Sequence, residues 1–238
     1  MKALILNSGI GHRMGDITKT HPKCMTVLKN GQTILQRQLK LLKKAGIDEA
    51  IITTGPFEEL LINHAKDAAC GVKLRFVNNP KYAETNYIYS VYLARELLKG
   101  DLITLHGDLV FDCDTLEKTV LSEKSVMTVE PTAPLPEKDF KAVINEGKIV
   151  KVGVEFFNDA VAAQPLYKLK EESLEKWLGE IEKFVARGEI KAYAENALNA
   201  LDGSADIYPL DVAGGLIKEI DTPEDLDCVN MLLEGENA

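Results

Sequence analysis

The chain has 238 residues, room for one large α/β domain or two small ones, and its charged and apolar fractions are those of an ordinary soluble protein. A formal net charge of -9 excludes broad attraction to nucleic acid or to an anionic membrane, so positive charge for an anionic ligand has to be concentrated locally. The four cysteines, Cys24, Cys70, Cys113 and Cys228, form no C-x-x-C pair, no apolar run is long enough to cross a bilayer and no signal peptide precedes the first strand; free thiols in a cytoplasmic protein without a metal cluster are expected.

Lys2 to Leu6 is a short apolar run and reads as a buried strand. Asn7-Ser8-Gly9-Ile10-Gly11-His12-Arg13 follows at once. Glycines let the backbone turn sharply, and a strand feeding such a loop aims several N–H groups at one point, which suits phosphate oxygens. Arg13 adds a planar cationic fork, and Lys23, behind the rigid Pro22, adds a point charge. A dinucleotide fingerprint would need a glycine where Met14 stands, and a Walker loop would need a Gly-Lys-Ser/Thr that the chain lacks. Gly9, Gly11, Arg13 and Lys23 together are read as a phosphate loop. His12 and His21 are read as solvent-facing loop residues without chemistry.

Thr33 with Gln36 makes a capping box before Ile34, Leu35, Leu39, Leu42 and Ala45, a helix that Gly46 ends. Strands are expected at 50–53, 72–77, 102–105 and 126–129, and helices at 57–69, 88–98 and 115–121. This alternation predicts a mostly parallel sheet covered on both faces, with ligands beyond the C-terminal strand ends. The pattern changes at Pro131. A hairpin is expected around Asn145-Glu146-Gly147, an amphipathic helix through Leu174, Trp177, Leu178, Ile181 and Val185, and a further helix at 194–201. The whole chain, 1–238, is read as one domain, and about 131–203 as an insertion lying over the sheet. Strands return at 207–212 and 216–220, and Thr222-Pro223-Glu224-Asp225 starts the last helix.

Asp108 and Asp221 each close an apolar strand. Carboxylates at neighbouring strand ends can share one hard cation, although either alone reads equally as a turn residue or helix cap. Asp112-Cys113-Asp114 has the Asp-x-Asp pattern of a metal motif, but a helix cap before Thr115 is the simpler reading.

Gly9-x-Gly11-x-Arg13, Thr18 and Pro22-Lys23 resemble the signature of the nucleotidyltransferases that activate sugar phosphates and related phosphorylated compounds. Asn86-Tyr87-Ile88-Tyr89-Ser90, Gly107-Asp108 and Glu219-Ile220-Asp221 resemble the motifs of the small cytidylyltransferases acting on phosphocholine or 2-aminoethylphosphonate. The likeness spans nearly the whole chain, strong at both ends and weak from about Pro131 to Gly203. Asn7-Ser8-Gly9 departs from the family's usual Ala-Ala-Gly.

The resemblance implies a Rossmann-like sheet of the glycosyltransferase-A type. It implies CTP-dependent transfer of CMP to a phosphorylated or phosphonate small molecule, with release of pyrophosphate. It implies Mg²⁺ on Asp108 and Asp221, and Arg13 and Lys23 as the catalytic cations. Leu6, Asn7, Ser8, Gly9, Gly11 and Asn79 would bind the nucleotide together with Arg13, Lys23 and Asp108. The base would be read by 6–9 and 79–86. Asn86, Tyr87, Ser90 and Glu195 would bind the acceptor. The stretch 131–203 is poor in clustered aromatics, whereas Glu195, Asn196, Asp206 and Asp211 are near strands returning to the sheet; a primary amine on the acceptor is therefore expected over choline. The rivals are a sugar-1-phosphate nucleotidyltransferase, a glycosyltransferase using Asp112 and Asp114, and a non-catalytic nucleotide sensor on the same fold. A monomer or homodimer is expected, with neither nucleic acid nor membrane as partner.

Overall fold

The computed structural model describes residues 1–235, the side chain of His12 excepted, so the reading of His12 as solvent-facing lies outside the described residues. The first strand, β1 (Lys2–Leu6), buries Ala3, Leu4 and Ile5 completely. Successive side chains of a strand point to opposite faces, so a run buried at every position needs cover on both sides. That cover comes from βα alternation. After β1 come α1 (Ile34–Lys44), β2 (Glu49–Thr54), α2 (Glu58–Ala68), β3 (Lys73–Asn78), α3 (Tyr87–Ala94), β4 (Leu102–His106), β5 (Leu109–Phe111), α4 (Cys113–Leu121) and β6 (Ser125–Glu130). Both bonds of the expected capping box are present at α1: the Gln36 N–H donates to Thr33 Oγ1, and the Thr33 N–H to Gln36 Oε1.

Leu4 and Ile51 pack on one face with α3, and Ala3, Ile5, Ala50 and Ile52 pack on the other with α1 and α2. Each buried Leu or Ile contributes about 1.5–3 kcal/mol of transfer free energy. A smaller cluster of Met14, Leu28, Ile34, Val110, Ile220, Val229 and Leu233 ties the opening loop to the last helix.

Beyond residue 131 the chain forms β7 (Lys141–Asn145), β8 (Lys148–Gly153), β9 (Ala160–Leu169), α5 (Glu171–Ala186), α6 (Ala194–Ala200), β10 (Ile207–Asp211), β11 (Ile217–Glu219) and α7 (Pro223–Gly235). The main sheet runs β10-β6-β9-β4-β1-β2-β3. β9 lies antiparallel between β4 and β6, whereas the other pairs along this path are parallel. This corrects the expectation that 131–203 only lies over the sheet, because its longest strand is central to it. Pro165 disguises that strand, since proline cannot donate to a ladder. It is tolerated because the β6–β9 register shifts between Met127 and Val129, opposite that point. The hairpin β7–β8 forms as expected and joins β9 through β7. A second correction concerns 216–220: β11 pairs antiparallel with β5 in a separate two-stranded sheet and does not rejoin the main one.

Leu6 and His106 are register partners at the ends of the parallel strands β1 and β4. The opening loop and the His106-Gly107-Asp108 turn therefore leave the sheet side by side. Among the described residues no helix is long and apolar enough to cross a membrane.

Candidate active site

The opening loop is fenced by two glycines. A Cβ on Gly55, after β2, would lie 2.4 Å from the Ser8 carbonyl oxygen, and one on Gly107, after β4, would lie 1.6 Å from Asn7 Oδ1. Only glycine lets both neighbours approach so closely. Gly11 adopts φ of 73°, and its carbonyl accepts a 2.9 Å hydrogen bond from Thr18 Oγ1. That fold-back sets the chain on course for Pro22 and Lys23.

Lys23 Nζ donates to Asp108 Oδ2 at 2.7 Å and to Asp221 Oδ1 at 2.5 Å. Arg13 Nη2 lies 2.8 Å from Asp221 Oδ2. Burial alone would lower the Lys23 pKa, but the two carboxylates outweigh it and raise it. Burial alone would raise Asp108, and the Lys23 and His106 charges outweigh it in turn, so this carboxyl is held below its ordinary value. Asp108 Oδ1 is buried and has no hydrogen-bond partner. Two carboxylates that reach one ammonium are close enough to share one metal ion. An all-oxygen pair with one unused buried oxygen fits a hard divalent cation that keeps its other positions for water and phosphate.

These groups line a cavity of 340 Å³. Four rings line it as well, and a His106 ring nitrogen lies within 4.8 Å of an Asp108 carboxylate oxygen. Tyr87 and His106 centroids are 4.9 Å apart, His106 and Phe140 6.2 Å, Phe140 and Tyr193 5.5 Å, and Tyr193 and Tyr87 5.8 Å, which closes the circuit. His106 Nδ1 is 2.9 Å from Glu219 Oε1. Burial by itself lowers the imidazole pKa, but this carboxylate outweighs burial and raises it. Glu195 lies behind the rings, 1% exposed, and accepts hydrogen bonds from Tyr87 Oη and, at 2.7 Å, from Tyr167 Oη.

Of the residues expected to bind nucleotide, Leu6, Ser8, Gly9, Arg13, Lys23, Asn79 and Asp108 line the cavity, as does Asp221. Asn7 and Gly11 do not: the Asn7 N–H bonds to Thr53 Oγ1 and its side chain packs on Gly107, while Gly11 shapes the loop. Of the expected acceptor residues, Asn86 and Tyr87 line the cavity and Ser90 and Glu195 do not. Ser90 is fully buried, sharing a hydrogen bond with Ser8 Oγ at 2.6 Å and accepting one from Asn79 Nδ2 at 2.9 Å, so it fastens the two nucleotide-side segments together. The Glu195 carboxylate is occupied by two phenols and sealed from ligand.

A further correction concerns the acidic and amide groups after position 190, whereas the Asp-x-Asp motif supplies the expected helix cap. Asn196 caps its helix by accepting the Tyr193 N–H, Asp206 pairs with Lys148 at 2.5 Å, and Asp211 accepts the Ala213 N–H. Asp112 uses both oxygens structurally, Oδ1 on the Thr115 N–H at 2.7 Å and Oδ2 on the Leu216 N–H at 2.6 Å, and Asp114 sits in the first turn of α4. Neither lines the cavity, which removes the glycosyltransferase reading. The supposed poverty of aromatics is also overturned, since Phe140 and Tyr193 both come from 131–203 and meet each other, and Tyr193 meets Tyr87.

The wall residues His106, Glu219, Phe140 and Tyr193 carried no expected role. His106 and Glu219 had a signal: each stands two residues before one of the two aspartates, and a period of two puts such pairs on one side of a strand. Phe140 and Tyr193 had none, being far apart in sequence and brought together only by tertiary packing.

Residues 3–129 match the family described as the MobA-like NTP transferase domain. Over the full length of both chains the protein is 28% identical to a choline-phosphate cytidylyltransferase of Streptococcus pneumoniae. Over 57% of its length it is 33% identical to a CMP-5'-(3-aminopropyl)phosphonate synthase of Streptomyces rubellomurinus, of which it spans 22%. The solved CTP:phosphocholine cytidylyltransferase of Streptococcus pneumoniae has the same fold, with a TM-score of 0.81, 24% identity and 98% of each chain covered. The chain thus belongs to the MobA-like NTP transferase domain family and is a nucleotidyltransferase.

Proposed function

We propose that the protein transfers CMP from CTP to a phosphorylated or phosphonate small molecule bearing an ammonium group, with release of pyrophosphate. One observation carries this reading: a single cavity is lined both by paired cations and carboxylates and by a closed circuit of four rings. Aromatic faces attract a desolvated ammonium, best one with an apolar shell. The faces of Tyr87, Phe140 and Tyr193 therefore favour a choline-like acceptor over the primary amine that sequence alone suggested, while His106, its imidazole pKa raised and its ring paired with Glu219, adds no attraction of its own. The relatives named for choline phosphate and for an aminopropylphosphonate support the same acceptor class.

In the reaction an oxygen of the acceptor's phosphate or phosphonate forms a bond to the α-phosphorus of CTP. The bond from that phosphorus to the oxygen bridging toward the β-phosphate breaks, and pyrophosphate leaves with the electron pair. The attacking oxygen is already anionic, so alignment and charge neutralisation carry most of the catalysis. Asp108 and Asp221 would hold Mg²⁺, which supplies neutralisation of the phosphate charge. Lys23 and Arg13, now paired with those carboxylates, would turn their donors to the triphosphate. Ser8, Asn79 and Asn86 would meet the base and ribose, held in register by Ser90. The test is a matrix of four nucleoside triphosphates against phosphocholine, phosphoethanolamine, 2-aminoethylphosphonate and sugar 1-phosphates, read by pyrophosphate release. CTP with a cationic acceptor should stand out; equal efficiency with a neutral sugar 1-phosphate would overturn the acceptor class.

A further inference from the structure

Lys141 is the first residue of β7 and is fully buried. Burial holds its pKa below the ordinary lysine value. Its ammonium donates to two backbone carbonyls, Val154 O at 2.6 Å and Asp139 O at 3.1 Å, and lies 4.1 Å from the centre of the Phe157 ring. A buried charge is costly even when hydrogen-bonded, and an apolar side chain of similar volume would fill the space without that cost. The two carbonyls belong to residues that line the cavity, and the residue between Asp139 and Lys141 is Phe140, one of the four rings.

We infer that Lys141 is a positioning residue that sets acceptor recognition by pinning the Asp139–Phe140 segment to Val154. The inference rests on the reading of the aromatic wall as the acceptor subsite. The ammonium ties the strand entering the hairpin to the chain leaving it. Without the tie, Asp139 and Val154 lose their shared anchor, and the chain entering Phe140 is held only from the β7 side, where the Phe140 carbonyl accepts the Ala163 N–H. On the nucleotide side, Ser8, Asn79 and Ser90 are fastened to one another and not through this contact.

The experiment compares the parent with Lys141→Met and Lys141→Arg, using CTP and phosphocholine, and measures amide hydrogen exchange of the substrate-free proteins. Lys141→Met should raise the acceptor KM by roughly tenfold and leave the CTP KM close to the parent value, as expected when one ligand's alignment is loosened. Lys141→Arg, which keeps donors at the end of a long side chain, should recover most of the loss. In the free protein, exchange in 137–141 and 153–157 should speed up in Lys141→Met. An unchanged acceptor KM with unchanged exchange would overturn the inference. So would a parallel loss in both KM values together with a lowered Tm, the mark of a purely structural lysine. If Lys141→Met does not fold, Phe157→Ala decides: it exposes the ammonium to water and should raise the acceptor KM, and an unchanged value overturns the pin. Should the parent use no cationic acceptor at all, the proposed function fails, while the exchange measurement still judges the pin.

Discussion

Lys23 stands between the two carboxylates that would hold the metal, at 2.7 and 2.5 Å, and Arg13 braces the second of them. A cation so placed neutralises the two carboxylates and, in the proposed reaction, would neutralise the phosphates. Removing one such group typically costs a few kcal/mol of transition-state stabilisation, about a hundredfold or more in rate. Lys23→Ala should therefore be slower by that order while its circular dichroism spectrum matches the parent's; parent-like kinetics would reduce Lys23 to a structural ion pair. Asp108→Asn and Asp221→Asn should each lower kcat severely at ordinary magnesium, and near-normal turnover in both would refute the metal assignment. Gly107 gives a sterically defined case. An alanine there would put its Cβ 1.6 Å from Asn7 Oδ1. Overpacking of this kind costs about 1–3 kcal/mol. Combining Gly107→Ala with Asn7→Ala should return most of the lost Tm, and strict additivity of the two changes would contradict the predicted contact.

At the scale of elements, capping chemistry was legible and strand pairing was less so. The α1 box and the Asp112 cap are local, set by residues three apart, and both could be read without knowing the fold. Asp112 also holds the Leu216 N–H, tying α4 to the chain that enters β11. Asp112→Ala should lower stability by about 1–3 kcal/mol, losing a cap and leaving the half-buried Leu216 N–H unpaired, and should leave kcat within a few-fold of the parent. A large fall in kcat at unchanged Tm would instead revive the metal-motif reading. β9 was missed because its signals are against it: three alanines, a glutamine and Pro165 do not resemble a central strand. Its place comes from partners on both sides, β4 and β6, and from a register shift that no local pattern reports.

Across the whole molecule, the main sheet brings the opening loop and the Asp108 turn to one mouth, a convergence legible from the order of strands and helices, and the separate β5–β11 pair delivers Asp221 to it. The acceptor wall was not legible. Phe140 follows a proline-rich stretch, Tyr193 precedes a short helix, and Tyr87 opens α3. Only the packing of α3, α6 and the hairpin makes them neighbours, and the same packing seals Glu195 behind two phenols instead of presenting it to ligand. The central claim, that one cavity joins CMP to a cationic phosphorylated acceptor, is tested most directly by the fate of the α-phosphorus. CTP labelled at that atom, incubated with phosphocholine, magnesium and the protein, should yield the label in a CMP–acceptor conjugate, with one unlabelled pyrophosphate per conjugate; label appearing only in CTP or CDP, with no pyrophosphate formed, would contradict the account.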